Sequence, residues 1–155
     1  MVYTAEHTEW VGRTVLETSD RYFLVGVLEG DPDTRGLVMA ALRRAQVVAV
    51  NLSRVDEMRA ACEHIRPRVI VFDVGVPDED ELDLMRMLRA RDVAGALSIV
   101  LLSSAPEVTL PMEVCELVDV YVKKPANWDT LARVVINLAT GRRPPSTGVR
   151  VLRPA

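Results

Sequence analysis

The sequence predicts an α/β domain built as an open, five-stranded parallel sheet with helices on both faces. Three observations support this. Five short apolar runs alternate with five longer stretches whose apolar residues recur at helical spacing. The clearest run is continuously apolar, without the two-residue alternation of a half-solvated strand, which implies a sheet covered on both sides. Polar residues able to do chemistry follow several of the runs. In open parallel sheets the ligand site lies beyond the carboxyl ends of the strands.

The first run, Tyr22-Phe-Leu-Val-Gly-Val-Leu28, reads as a strand. Glu29-Gly-Asp-Pro-Asp33 is a turn cluster, and its proline suits the first turn of a helix. From Thr34 to Ala45 that helix carries Leu37, Val38, Ala41 and Leu42 on one side. Val47 to Val50 is the second strand. Val55 to Ile65 is a helix with Val55, Met58, Cys62 and Ile65 on its apolar face. Val69 to Phe72 is the third strand and ends at Asp73. Glu81 to Ala90 is a helix presenting Leu82, Leu84, Met85 and Leu88. Leu97 to Leu102 is the fourth strand, closed by Ser103-Ser104. Pro111 interrupts Pro106 to Glu116, so a short or broken helix is expected there. Leu117 to Val122 is the last strand, with Asp119 breaking its apolar run. Trp128 to Leu138 is the last helix, with Leu131, Val134, Val135 and Leu138 facing inward.

Right-handed crossovers between parallel strands place helices on both faces. The domain spans residues 21–140. Residues 1–20 form an N-terminal extension in which Trp10, Val11, Val15 and Leu16 suit one face of an extra helix or part of an added strand. Residues 141–155 hold Pro144-Pro145, Gly148 and several arginines, and read as a flexible tail or truncated linker.

Bulk properties narrow the function. The chain has 155 residues, enough for one domain with a real core, with 49% hydrophobic and 26% charged residues. A net charge of -3 gives no electrostatic footprint for nucleic acid or an anionic membrane. No apolar stretch is long enough to span a bilayer, and the first residues do not read as a secretory signal. Cys62 and Cys115 show no framework spacing and read as packing thiols in a reducing cytoplasm. His7 and His64 lack ligand-spaced partners. Trp10 and Trp128 read as core or interface anchors.

The strand ends supply Glu29, Gly30 and Asp31 from the first strand, Asp73 from the third, Ser103 and Ser104 from the fourth, and Lys124-Pro125 from the fifth. Carboxylates, a hydroxyl and an ammonium form a kit for phosphoryl transfer to a carboxylate. The carboxylates hold a hard divalent cation and one of them is the nucleophile. Cation, lysine and hydroxyl neutralise charge on the phosphoryl oxygens.

These residues resemble the response-regulator receiver domains of two-component signalling. Val27-Leu-Glu-Gly-Asp-Pro-Asp-Thr-Arg35 resembles their opening strand and acidic loop. Arg66-Pro-Arg-Val-Ile-Val-Phe-Asp-Val-Gly-Val-Pro77 resembles the phosphoacceptor strand and the loop after it. Ile99-Val-Leu-Leu-Ser-Ser104 resembles the strand of the switch hydroxyl, and Tyr121-Val-Lys-Lys-Pro125 the aromatic switch and lysine-proline pair. The resemblance covers residues 21–140 and implies a flavodoxin-like fold and no enzymatic role beyond self-phosphorylation and slow self-dephosphorylation. It makes Asp73 the phosphoacceptor, Ser103 and Tyr121 the switch pair, and Lys124 the paired lysine. It also implies a Mg²⁺ site formed by Glu29, Asp73, the backbone carbonyl of Gly75 and a candidate fourth ligand, Asp31. The implied partners are a histidine kinase or another signalling protein, with a homodimer through the last strand and last helices, and neither nucleic acid nor membrane.

Two positions depart from the family's pattern. Gly30 stands where the second acidic residue would ligate the cation. Cys115-Glu-Leu-Val-Asp119 stands where a small-residue turn precedes the last strand. Gly30 motivates an alternative: an atypical pseudo-receiver that binds a partner without phosphorylation. A metabolic enzyme on the same kind of sheet ranks below both, since fold alone does not fix function and no cofactor loop or second nucleophile is visible.

Overall fold

A computed structural model describes residues 23–124 and 126–153. The expectations for residues 1–20, including Trp10, and for Pro125 lie outside the described residues.

Among the described residues six strands and five α-helices follow in order: β1 (Leu24–Leu28), α1 (Pro32–Arg44), β2 (Val48–Leu52), α2 (Val55–Ala61), β3 (Val69–Asp73), α3 (Glu79–Arg91), β4 (Ser98–Ser103), α4 (Met112–Leu117), β5 (Val120–Lys123), α5 (Trp128–Ala139) and β6 (Val149–Val151). One 3₁₀ turn, Glu107–Thr109, precedes α4. The sheet order is β2-β1-β3-β4-β5-β6. Strands β1 to β5 pair in parallel, as the sequence predicts.

Alternation along each strand assigns its side chains to opposite faces. On one face Val25, Val27, Val69, Val71, Val100, Leu102, Val120 and Val122 pack with residues of α1 and α5. On the other Ile70, Phe72, Ile99 and Leu101 pack with Met58 of α2, residues of α3 and Val114 of α4. All four side chains from Val69 to Phe72 are fully buried, which places β3 at the centre of the sheet. Gly26 gives Met58 its space, since a Cβ there would come within 3.3 Å of the Met58 methyl carbon.

The helix starts follow from local chemistry. Asp31 caps α1, accepting from the Thr34 N–H at 2.9 Å with Pro32 next in line. Asp78 and Glu81 form a reciprocal capping box on α3. Asn127 caps α5. Helix α2 ends at Ala61 rather than Ile65 and passes into a turn. Pro111 sits immediately before α4, and the segment ahead of it is the 3₁₀ turn, so this region is short and broken as predicted.

The start of the last parallel strand is corrected too. The last parallel strand begins at Val120, not Leu117. Leu117 closes α4, and the Asp119 carboxylate turns back to accept from the Ile99 N–H at 2.7 Å. After α5, Val149–Val151 pairs antiparallel with β5, Val122 opposite Val149 and Val120 opposite Val151, so β5 is not the edge of the sheet. At three residues the added strand is too short to give a period-two signal.

Candidate functional site

The carboxyl ends of β1, β3 and β4, with the residue after β5, converge as the sequence predicts. Glu29, Asp73 and Ser103 are buried at 5%, 8% and 0% exposure, a class otherwise filled by apolar side chains. Such burial of carboxylates is costly unless charge is compensated.

Compensation is partial. Lys124 lies just beyond β5, held by its N–H to the Ser103 carbonyl at 2.8 Å. Its Nζ pairs with Asp73 Oδ1. Glu29 Oε1 accepts from the Asp31 N–H at 2.7 Å. The remaining oxygens, Glu29 Oε2 and Asp73 Oδ2, are buried with no hydrogen-bond donor. The two carboxyls lie within hydrogen-bonding reach of each other. Burial first, then Asp73, pushes the Glu29 carboxyl up to about 7, while the Asp31 N–H and Lys124 oppose the rise. Two facing acceptors require a proton or a cation between them. A set of hard oxygen donors suits a small divalent cation.

Ser103 Oγ donates to the Gly75 carbonyl at 3.0 Å and accepts from the Ala105 N–H at 3.0 Å, bridging the loops that follow β3 and β4. Tyr121 is buried, and its hydroxyl donates to the Ala105 carbonyl at 2.5 Å. Burial raises the Tyr121 phenol above its ordinary range, so it stays a donor. The two predicted switch residues thus meet at one backbone unit, Ala105, which sequence reasoning did not single out.

Gly30 is exposed at the rim. Asp31, the candidate fourth ligand, has one carboxylate oxygen engaged as the α1 cap. Among the described residues, no group of three or more His, Cys, Asp or Glu side chains is placed to hold a metal ion. The carboxylates of Glu29 and Asp73 converge, and Gly30 beside them adds none.

No family model matches the sequence, and no curated protein matches it. Solved structures do. The CheY-like receiver domain of a response regulator from Methylobacillus flagellatus aligns with a TM-score of 0.64 at 20% identity, over 76% of this chain and 98% of that one. The chemotaxis response regulator CheY4 of Vibrio cholerae gives 0.66 at 19% identity, over 76% and 98%. The BeF3-activated DrrB receiver domain gives 0.63 at 19% identity, over 76% and 97%. The chain therefore has the fold of response-regulator receiver domains. Among the described residues no helix is long and apolar enough to cross a membrane.

Proposed function

We propose that the chain is a signalling receiver that accepts a phosphoryl group on Asp73 from a histidine kinase. One observation carries the reading: a buried aspartate at the end of the central strand, with one oxygen paired to Lys124, the other without a donor, and the Ser103 hydroxyl bonded to the Gly75 carbonyl in the loop that follows it. An Asp73 carboxylate oxygen attacks phosphorus, a phosphorus–oxygen bond forms, and the phosphorus–nitrogen bond of the donor histidine breaks as its imidazole leaves. Lys124 offers positive charge to the phosphoryl oxygens. Ser103 Oγ reaches them by giving up its bond to the Gly75 carbonyl. A divalent cation held by Glu29, Asp73 and the Gly75 carbonyl would supply further charge neutralisation when bound. The response is a rearrangement of Ser103, Tyr121 and the β4–α4 loop that alters the face around β5.

Gly30 favours a second reading, in which the same face binds a protein partner without phosphorylation. A small phosphoryl donor such as acetyl phosphate with Mg²⁺ separates the two. Intact-mass measurement should show the gain of one phosphoryl group on the wild-type chain and none on Asp73→Asn. Absence of the adduct from the wild type at saturating donor and Mg²⁺ would leave only the second reading.

A further inference from the structure

The phosphoacceptor reading gives no role to the unusual turn before β5 or to residues 141–153. The two are joined at Asp119. Its carbonyl accepts from the Leu152 N–H at 2.8 Å and the Arg153 N–H at 3.3 Å. Its carboxylate holds the Ile99 N–H at 2.7 Å, pairs with the guanidinium of Arg89 and lies 3.7 Å from that of Arg153. Arg89 in turn donates to the Leu97 and Leu117 carbonyls, at 2.9 Å and 2.8 Å. Thus the residue that breaks the apolar run is the anchor of β6. Gly148, at φ +70, turns the chain into the strand, a backbone conformation few other residues adopt. Val149 then packs against the α1 and α5 core and Leu152 against the opposite one.

The strand also touches the switch. Arg150 Nε donates to Glu107 Oε1 at 2.9 Å. Glu107 lies two residues beyond Ala105, the unit that binds both Ser103 and Tyr121. Ser103 is thus linked to Arg150 through its bond to Ala105, the backbone from Ala105 to Glu107, and the Glu107–Arg150 pair. The Arg150 side chain is 68% exposed, so the tie is of the weak surface kind that a small loop shift can break.

We propose that residues 141–153 form a built-in strap on the edge of β5, anchored at Asp119 and tied by Arg150 to the loop after Ser103, which loosens when that loop moves. While closed, it denies the β5 edge to any other strand. The coupling to loop movement rests on the phosphoacceptor reading of Asp73, whereas the strap itself does not. When Ser103 turns to a phosphoryl oxygen it releases Gly75 and Ala105, and the loop carrying Glu107 is free to shift. By linkage, a loosened strap favours the shifted loop.

Amide hydrogen exchange on the full chain tests both parts. Glu107→Gln and Arg150→Ala should each raise exchange in residues 148–153 and at the Lys123 N–H by about two- to fivefold, leaving β3 unchanged. Unchanged exchange in both variants overturns the strap tie. Wild-type chain treated with acetyl phosphate and Mg²⁺, with the adduct counted by intact mass, should show the same local rise. An adduct with no rise overturns the coupling while the phosphoacceptor reading stands. With no adduct the coupling falls together with that reading, and the variants still decide the strap.

Discussion

A Cβ added at Gly30 would meet only the Ser53 carbonyl oxygen, at 3.5 Å, which is ordinary contact, so an aspartate fits there without moving the backbone. Restoring that carboxylate completes the acidic pair with Glu29. Gly30→Asp should tighten Mg²⁺ binding by about tenfold or more, since ligand charge sets affinity for hard cations. Titration calorimetry on both proteins measures it, and equal affinities would show that position 30 does not face the ion. Glu29 offers a second test. Its carboxyl is raised from 4.5 to about 7, so the folded chain keeps a proton that the unfolded chain has lost. The stability this proton provides is complete below about pH 4.5 and disappears as the pH rises through about 7. In metal-free buffer, urea unfolding should therefore show a loss of roughly 2 kcal/mol from this group between about pH 5 and pH 8. Glu29→Gln, whose amide can donate to Asp73, should flatten that slope. A slope equal to the wild type's would remove Glu29 as its origin.

Among the elements, the helices show how local sequence and tertiary context divide the work. Helix α3 has its stop and start signals written in the chain, a reciprocal capping box at Asp78 and Glu81 and arginines in its last turn. Asp78→Ala should cost about 1 kcal/mol in urea unfolding, because the Glu81 N–H loses the carboxylate that accepts from it. A change under about 0.3 kcal/mol would mean that solvent caps the helix as well as the side chains do. The strands β1, β3 and β4 were legible for a similar reason: burial on both faces requires continuous apolar runs. Strand β5 was misplaced at its start because Val118 is apolar but belongs to the end of α4, and only the Asp119 contact with Ile99 separates the two.

Across the whole molecule, the ends of the strands bring residues 29, 73, 103 and 124 to one edge. This followed from the sequence once the sheet was recognised, since parallel strands with right-handed crossovers all finish on the same side. Asp119 shows the opposite case. It stitches α3, β4, β5 and β6 together through side-chain and backbone bonds to residues 20 to 34 positions away. Asp119→Ala should destabilise the chain by about 2–4 kcal/mol, because the largely buried Arg89 loses the nearer of its two carboxylates, keeping Asp92 at 3.8 Å, and the Ile99 N–H loses its acceptor. Urea unfolding checks this, and a loss below about 1 kcal/mol would reduce the cluster to surface pairing.

The sequence alone determined the sheet, the order of its five parallel strands along the chain and the residues gathered at their ends. Each of these is set by local pattern: apolar runs, helical spacing, caps and turn residues. The tertiary structure decided what those residues do to one another. It buried Glu29 beside Asp73, which raises the Glu29 carboxyl, made Ala105 the meeting point of Ser103 and Tyr121, and laid residues 149–151 along β5. None of these has a local signal. A raised carboxyl depends on burial and on its neighbours in space, and a three-residue edge strand gains its stability from the neighbour it pairs with rather than from its own composition.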